Sequence, residues 1–111
     1  MAGITTHVLD TNLGRPISGV RIDLSIREGD AFKLLKSTTT NNDGRTDTPL
    51  VKPEDARAGE YEISFNIESL PFAAGSFIDN PVVRFSVSDI KQHYHVPMLC
   101  PPGSFSTYRG S

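Results

Sequence analysis

Over three long stretches the chain alternates apolar and polar residues with a period of two. Val20, Ile22, Leu24 and Ile26 interleave with Arg21, Asp23, Ser25 and Arg27. Tyr61, Ile63, Phe65 and Ile67 interleave with Glu62, Ser64, Asn66 and Glu68. Val83, Phe85 and Val87 interleave with Arg84, Ser86 and Ser88. Successive side chains of a strand point to opposite faces, so each run predicts a strand with one face on a core and the other in water. Turn signals separate the runs: Gly14, Pro16 and Gly19, then Glu28-Gly29-Asp30, then Pro101-Pro102-Gly103 near the end. The sharpest is Asn41-Asn42-Asp43-Gly44, because Asn and Asp-Gly supply the positive φ of tight turns. The segments 20–27 and 32–39 around Gly29 predict a hairpin.

Strands are expected near 4–9, 20–28, 31–39, 45–48, 60–68, 82–89, 92–99 and 104–109. Many short strands with closely spaced turns argue for an all-β sandwich. The segment 68–80 breaks the strand period and predicts one short helix over 69–74, with Pro71 tolerable only in its first turn. Residues 49–59, with Pro49, Pro53 and Gly59, read as a long surface connection.

Composition narrows the function classes. The 111 residues suit one domain, 1–111, with no room for a second. A net charge of −2 and a pI near 5.8 do not form the basic footprint of a nucleic-acid binder. Cys100 is the only cysteine, so no intrachain disulfide forms and the core must hold the fold. Between Leu99 and Pro101 it reads as a small, half-buried hydrophobe. The first ten residues lack the basic and apolar regions of a secretory signal, and no run is long enough to span a membrane. The expectation is a soluble, cytoplasmic protein with neither a membrane nor a nucleic-acid partner.

The candidate chemistry lies in three places. The histidines are His7, His93 and His95. His93 and His95 stand two apart in an extended segment and so share one face, with Tyr94 and Val96 on the other. Together with His7 they suit either a three-nitrogen metal site or a neutral imidazole acting as general base toward water, and spacing does not separate the two. Arg45 follows the Asp43-Gly44 turn and would emerge at a strand start, where a guanidinium can grip a planar oxo-anion or a polarised carbonyl. The run 104–111, Ser-Phe-Ser-Thr-Tyr-Arg-Gly-Ser, carries strand-like and polar residues to its end, where chains are commonly frayed.

These residues form a pattern. Thr6-His7-Val8-Leu9-Asp10-Thr11, followed by Gly14 and Pro16, resembles the N-terminal signature of the transthyretin-related proteins. Thr40, then Asp43-Gly44-Arg45, resembles their second signature, and His93-Tyr94-His95-Val96-Pro97 their third. The tail Ser106-Thr107-Tyr108-Arg109-Gly110-Ser111 is similar to the ending that marks the 5-hydroxyisourate hydrolase branch. One departure is Phe105, where a tyrosine is common.

The resemblance implies an eight-stranded, prealbumin-like sandwich. It also implies a homotetramer, a dimer of dimers, with active sites in clefts where two dimers meet. The implied reaction is hydrolysis of the N1–C6 cyclic amide of 5-hydroxyisourate, without metal or organic cofactor. By the same resemblance His7, Arg45, His95 and Ser111 are expected to be catalytic, and His7, Arg45, Tyr108 and Arg109 to bind substrate. His93 lies in the motif without an assigned role.

Overall fold

A computed structural model describes residues 3–67, 70, 78–101 and 104–111. The strands are β1 (Gly3–Asp10), β2 (Arg15–Pro16), β3 (Arg21–Glu28), β4 (Ala31–Thr39), β5 (Gly59–Asn66), β6 (Val82–Val87), β7 (His93–Leu99) and β8 (Ser106–Thr107), with a 3-10 turn at Pro53–Asp55. They form two four-stranded sheets, ordered β2-β1-β7-β8 and β4-β3-β5-β6. The expected all-β sandwich is therefore the fold. The short helix expected over 69–74 falls, Leu70 apart, outside the described residues. Among the described residues no helix is long and apolar enough to cross a membrane.

The period-two residues make the core. Ile22, Leu24 and Ile26 of β3 and Tyr61, Ile63 and Phe65 of β5 are buried in one cluster with Ile4 and Val8 of β1 and Val96 and Met98 of β7. Full burial of one such side chain contributes roughly 1.5–3 kcal/mol. The hairpin is as expected, with β3 and β4 antiparallel around Gly29 at φ 64°. The buried polar groups are paired: Thr6 Oγ1 donates to the Val96 carbonyl at 2.7 Å, and Thr40 Oγ1 to the Ile17 carbonyl at 2.8 Å.

Three expectations need correction. No strand forms at 45–48, where the chain runs in bends between two contacts with β1, at Gly44 and at Leu50–Val51. Thr46 Oγ1 donates to the Thr48 carbonyl at 2.6 Å, a local bond that competes with a ladder, and Pro49 has no N–H to offer one. The eighth strand is instead β2, paired antiparallel to the end of β1. The connection 49–59 is not wholly superficial either: Leu50 and Val51 are buried, and their amides donate to the Ile4 carbonyl at 2.9 and 3.2 Å. The last strand shrinks from 104–109 to Ser106–Thr107.

The decisive contact for the site is β1 against β7. These strands run parallel, with Gly3 opposite His93, Thr5 opposite His95 and His7 opposite Pro97. The inward faces carry the core. The outward faces carry Thr5, His7, His93 and His95, all half-buried.

Candidate active site

Two neighbouring strands thus place three imidazoles and one hydroxyl on a single face. Thr5 Oγ1 lies 2.8 Å from His93 Nε2 and 2.8 Å from His95 Nδ1. The two rings are 6.3 Å apart, centroid to centroid, and tilted by 33°. The His-x-His pair therefore converges on the threonine hydroxyl. Among the described residues no three His, Cys, Asp or Glu side chains are grouped so as to hold a metal ion.

Arg45 is brought to this face by the turn before it. Asn41 Oδ1 accepts from the amides of Asp43 at 2.9 Å and Arg45 at 3.2 Å, and the Asn41 amide donates to the Arg45 carbonyl at 2.7 Å. Gly44 has φ 72° and its carbonyl accepts from the Val8 amide at 2.8 Å, which ties the turn to β1. A Cβ at Gly44 would collide with the Val8 carbonyl oxygen and lie 3.2 Å from His7 Cδ2. Only glycine gives both the left-handed backbone and that close approach. The Asp-Gly-Arg motif is a device for setting a guanidinium beside His7.

The tail closes the other side. The Gly110 amide donates to the His95 carbonyl at 2.8 Å, and a Cβ on Gly110 would sit 2.6 Å from His95 Cδ2. The glycine backbone therefore packs closely against the imidazole, and Ser111 joins the wall of a cavity of about 320 Å³. Thr5, Arg45, Asp47, His93, His95 and Ser111 share its wall. That volume lies near the low end of the roughly 300–1,000 Å³ of small-molecule sites.

The electrostatics favour neutral imidazoles. Burial pushes the pKa of His95 below 6.5, and the charge of Arg45 pushes it further, followed by those of His93 and His7. His7 is lowered by burial and then by Arg45, against an opposing pull from the backbone and carboxylate of Asp43. A neutral imidazole is the form that accepts a proton.

Tyr108 and Arg109 lie elsewhere in the chain. The Arg109 guanidinium stacks 4.2 Å over the Tyr94 ring and donates to Gln92 Oε1 at 2.8 Å and to the His93 carbonyl at 3.2 Å. Both residues line a second cavity of about 320 Å³, with Val83, Phe85 and Val96. The chain thus brings Arg45, His95 and Ser111 to one cavity, sets His7 off its wall but close enough to feel the charge of Arg45, and leaves Tyr108 and Arg109 outside that group. Cys100 is buried, and its thiol is pushed up to about 12, first by burial and then by Asp10.

Thr5 had no place in the reading of isolated motifs, and Gly44 and Gly110 figured in theirs as a turn residue and a tail residue rather than as contacts of the rings. Thr5 was legible in principle, since it shares the outward parity of His7 on β1. Gly44 announces itself in the sequence as a turn residue, but the fit of both glycines against the rings shows only in the fold.

Comparisons with known proteins agree with this architecture. The HIUase/Transthyretin family model matches residues 4–110. A 5-hydroxyisourate hydrolase of Pseudomonas aeruginosa is 44% identical over 117 residues, covering 100% of this chain and 93% of that protein. The solved Klebsiella pneumoniae 5-hydroxyisourate hydrolase superposes with a TM-score of 0.76 at 33% identity, covering 100% of both chains. Transthyretin from Sparus aurata superposes with a TM-score of 0.87 at 21% identity, covering 99% of this chain and 97% of its own, which speaks to the fold alone. By sequence along nearly its whole length and by the arrangement of its two sheets, the chain belongs to the HIUase/Transthyretin family.

Proposed function

We propose that this protein hydrolyses the N1–C6 cyclic amide of 5-hydroxyisourate to 2-oxo-4-hydroxy-4-carboxy-5-ureidoimidazoline. The observation that carries the reading is the convergence of His95, Arg45 and Ser111 on one cavity beside His7. Relatives that bear the name 5-hydroxyisourate hydrolase and align along the full chain support the substrate.

In this reading His95 accepts a proton from water as the water oxygen bonds to C6. The C6–N1 bond then breaks, and the imidazolium returns the proton to N1. A positioned base of this kind contributes ~10²–10⁴-fold. Arg45 meets the carbonyl oxygen as negative charge grows there, worth roughly 10²–10³-fold. His7 binds the ring beside Arg45, and Ser111 holds the far side of the cavity. The nitrogen that leaves belongs to a conjugated ureide and departs more readily than an ordinary amine, so the reaction calls for no covalent nucleophile and no cofactor. The working form is a homotetramer, a dimer of dimers, in which Tyr108 and Arg109 reach the substrate at a site shared with a neighbouring protomer.

The test is spectrophotometric. Urate oxidase generates 5-hydroxyisourate, and its decay is followed with and without this protein and a chelator. The protein should accelerate decay in both cases, and His95→Asn and Arg45→Ala should each lower kcat/KM by about 100-fold or more at an unchanged elution volume. No acceleration by the wild type would refute the substrate, and full activity in either variant would refute that residue's role.

A further inference from the structure

Thr5 offers one hydroxyl to two imidazoles. Its Oγ1 is 2.8 Å from His93 Nε2 and 2.8 Å from His95 Nδ1. A hydroxyl has one proton to donate, so when both contacts are hydrogen bonds at least one ring must supply a proton to Thr5 as acceptor. Three neutral arrangements satisfy both contacts: both rings donate to Thr5, whose own proton then points elsewhere, or the hydroxyl donates to one ring and accepts from the other, in either of two senses. In the first sense, Thr5 donates to His95 Nδ1, so His95 carries its proton on Nε2 and has no lone pair left there. In the second sense, His95 Nδ1–H donates to Thr5 Oγ1, the Thr5 hydroxyl donates to His93 Nε2, and His95 Nε2 keeps its lone pair.

We propose that Thr5 is a positioning residue that holds His95 as the Nδ1–H tautomer by linking it to His93, leaving Nε2 as the nitrogen that takes the proton. This rests on the reading of His95 as the base. Electrostatics, proton economy and register each agree with the second of the two senses. The Thr5 backbone also favours the protonated His95 ring. When Nε2 gains a proton, Nδ1–H continues to donate to Thr5, so no hydroxyl has to rotate during the reaction. The register places Thr5 directly opposite His95 on the adjoining strand, where its β-branched side chain has few rotamers. A ring nitrogen's partner sets which nitrogen is left for chemistry.

The charged and titratable groups that act on His95 are His7 from β1, Arg45 from the turn after β4 and His93 from its own strand, and Asp47 shares the wall of the cavity. Thr5 is neutral, so Thr5→Val leaves all of them in place and keeps the β-branched shape, and Thr5→Ser restores the hydroxyl. In Thr5→Val kcat should fall about tenfold or more with KM within about twofold, a part of the ~10²–10⁴ that a positioned base supplies. Loss of the acceptor for Nδ1–H should move the acid limb of the kcat/KM profile to lower pH. Thr5→Ser should recover most of the activity and the original profile.

A second measurement does not depend on turnover. In long-range ¹H–¹⁵N spectra of the intact protein at pH 8, His95 Nδ1 should be protonated and Nε2 bare, and Thr5→Val should shift His95 toward the Nε2–H form. A wild-type His95 found as the Nε2–H tautomer would overturn the proposal. So would a Thr5→Val protein with unchanged kcat and unchanged tautomer. If His95→Asn proves fully active, the base assignment fails, and the spectra still decide whether Thr5 sets the tautomer.

Discussion

Gly110→Ala places one methyl group against the His95 imidazole. The new Cβ would fall 2.6 Å from His95 Cδ2, 3.3 Å from Cγ and 3.2 Å from Pro97 Cγ. Carbon atoms pack at about 3.5–4.0 Å, so the ring or the tail must yield by roughly 1 Å. The ring has little room to retreat, because Nδ1 is held by Thr5 and its strand is paired to β1 on one side and β8 on the other. If the tail lifts instead, the bond from the Gly110 amide to the His95 carbonyl breaks and Ser111 leaves the cavity. Either response displaces a group of the proposed active site by about 1 Å, a misplacement that can cost ~10²-fold. That corresponds to about 2.7 kcal/mol in the barrier, at 1.36 kcal/mol per tenfold. Folding should suffer far less, since a single lost hydrogen bond costs about 1 kcal/mol. The assay compares kcat/KM of Gly110→Ala and wild type on freshly generated 5-hydroxyisourate, with thermal melting by circular dichroism as the control. A kcat/KM within about threefold of wild type, in a protein of unchanged melting temperature, would refute the claim that this glycine seats the imidazole.

Two other predictions follow from the titratable groups. With its thiol buried and pushed up to about 12, Cys100 should be silent toward a disulfide reagent at pH 8 and react once guanidinium unfolds the chain; rapid stoichiometric labelling of the native protein would contradict this. His7 and His95 have folded pKa values below 6.5, so the unfolded chain binds protons first as pH falls. Their contribution to stability is whole above about 6.5 and is lost as pH drops through the folded values. The melting temperature should therefore fall between about pH 7 and pH 5, before ordinary carboxylates titrate, and the fall should be shallower in a His7→Asn, His95→Asn protein. A melting temperature that holds or rises over that interval counts against buried, neutral imidazoles.

Much of the site's logic lies in residues whose side chains do little chemistry. Gly44 and Gly110 each let backbone pass against a histidine ring, and Asn41 shapes the turn that presents Arg45. This explains why the Asp43-Gly44-Arg45 and Tyr108-Arg109-Gly110-Ser111 motifs hold glycine where they do. The substrate, by contrast, is not visible in any of this geometry. A cavity of about 320 Å³ walled by two imidazoles and a guanidinium suits several flat, carbonyl-bearing heterocycles, and similarity to named relatives points to one.

Local pattern was enough for part of this protein. Alternation in 20–27, 61–68 and 83–88 expresses the two-sided environment of a strand, so the sandwich, its core and the common face of His93 and His95 could be read directly from the chain. A lone cysteine between Leu99 and Pro101 was readable as a small hydrophobe, expected half-buried and found buried. The failures have one cause. Whether 45–48 pairs, whether Leu50 and Val51 are buried and where Arg109 turns depend on which partners the fold supplies, and nothing nearby in the sequence records those partners. The same holds for the site: Thr5 and His95 are 90 residues apart, and it is the parallel register of β1 on β7, set by core packing across both sheets, that puts the hydroxyl between the two rings.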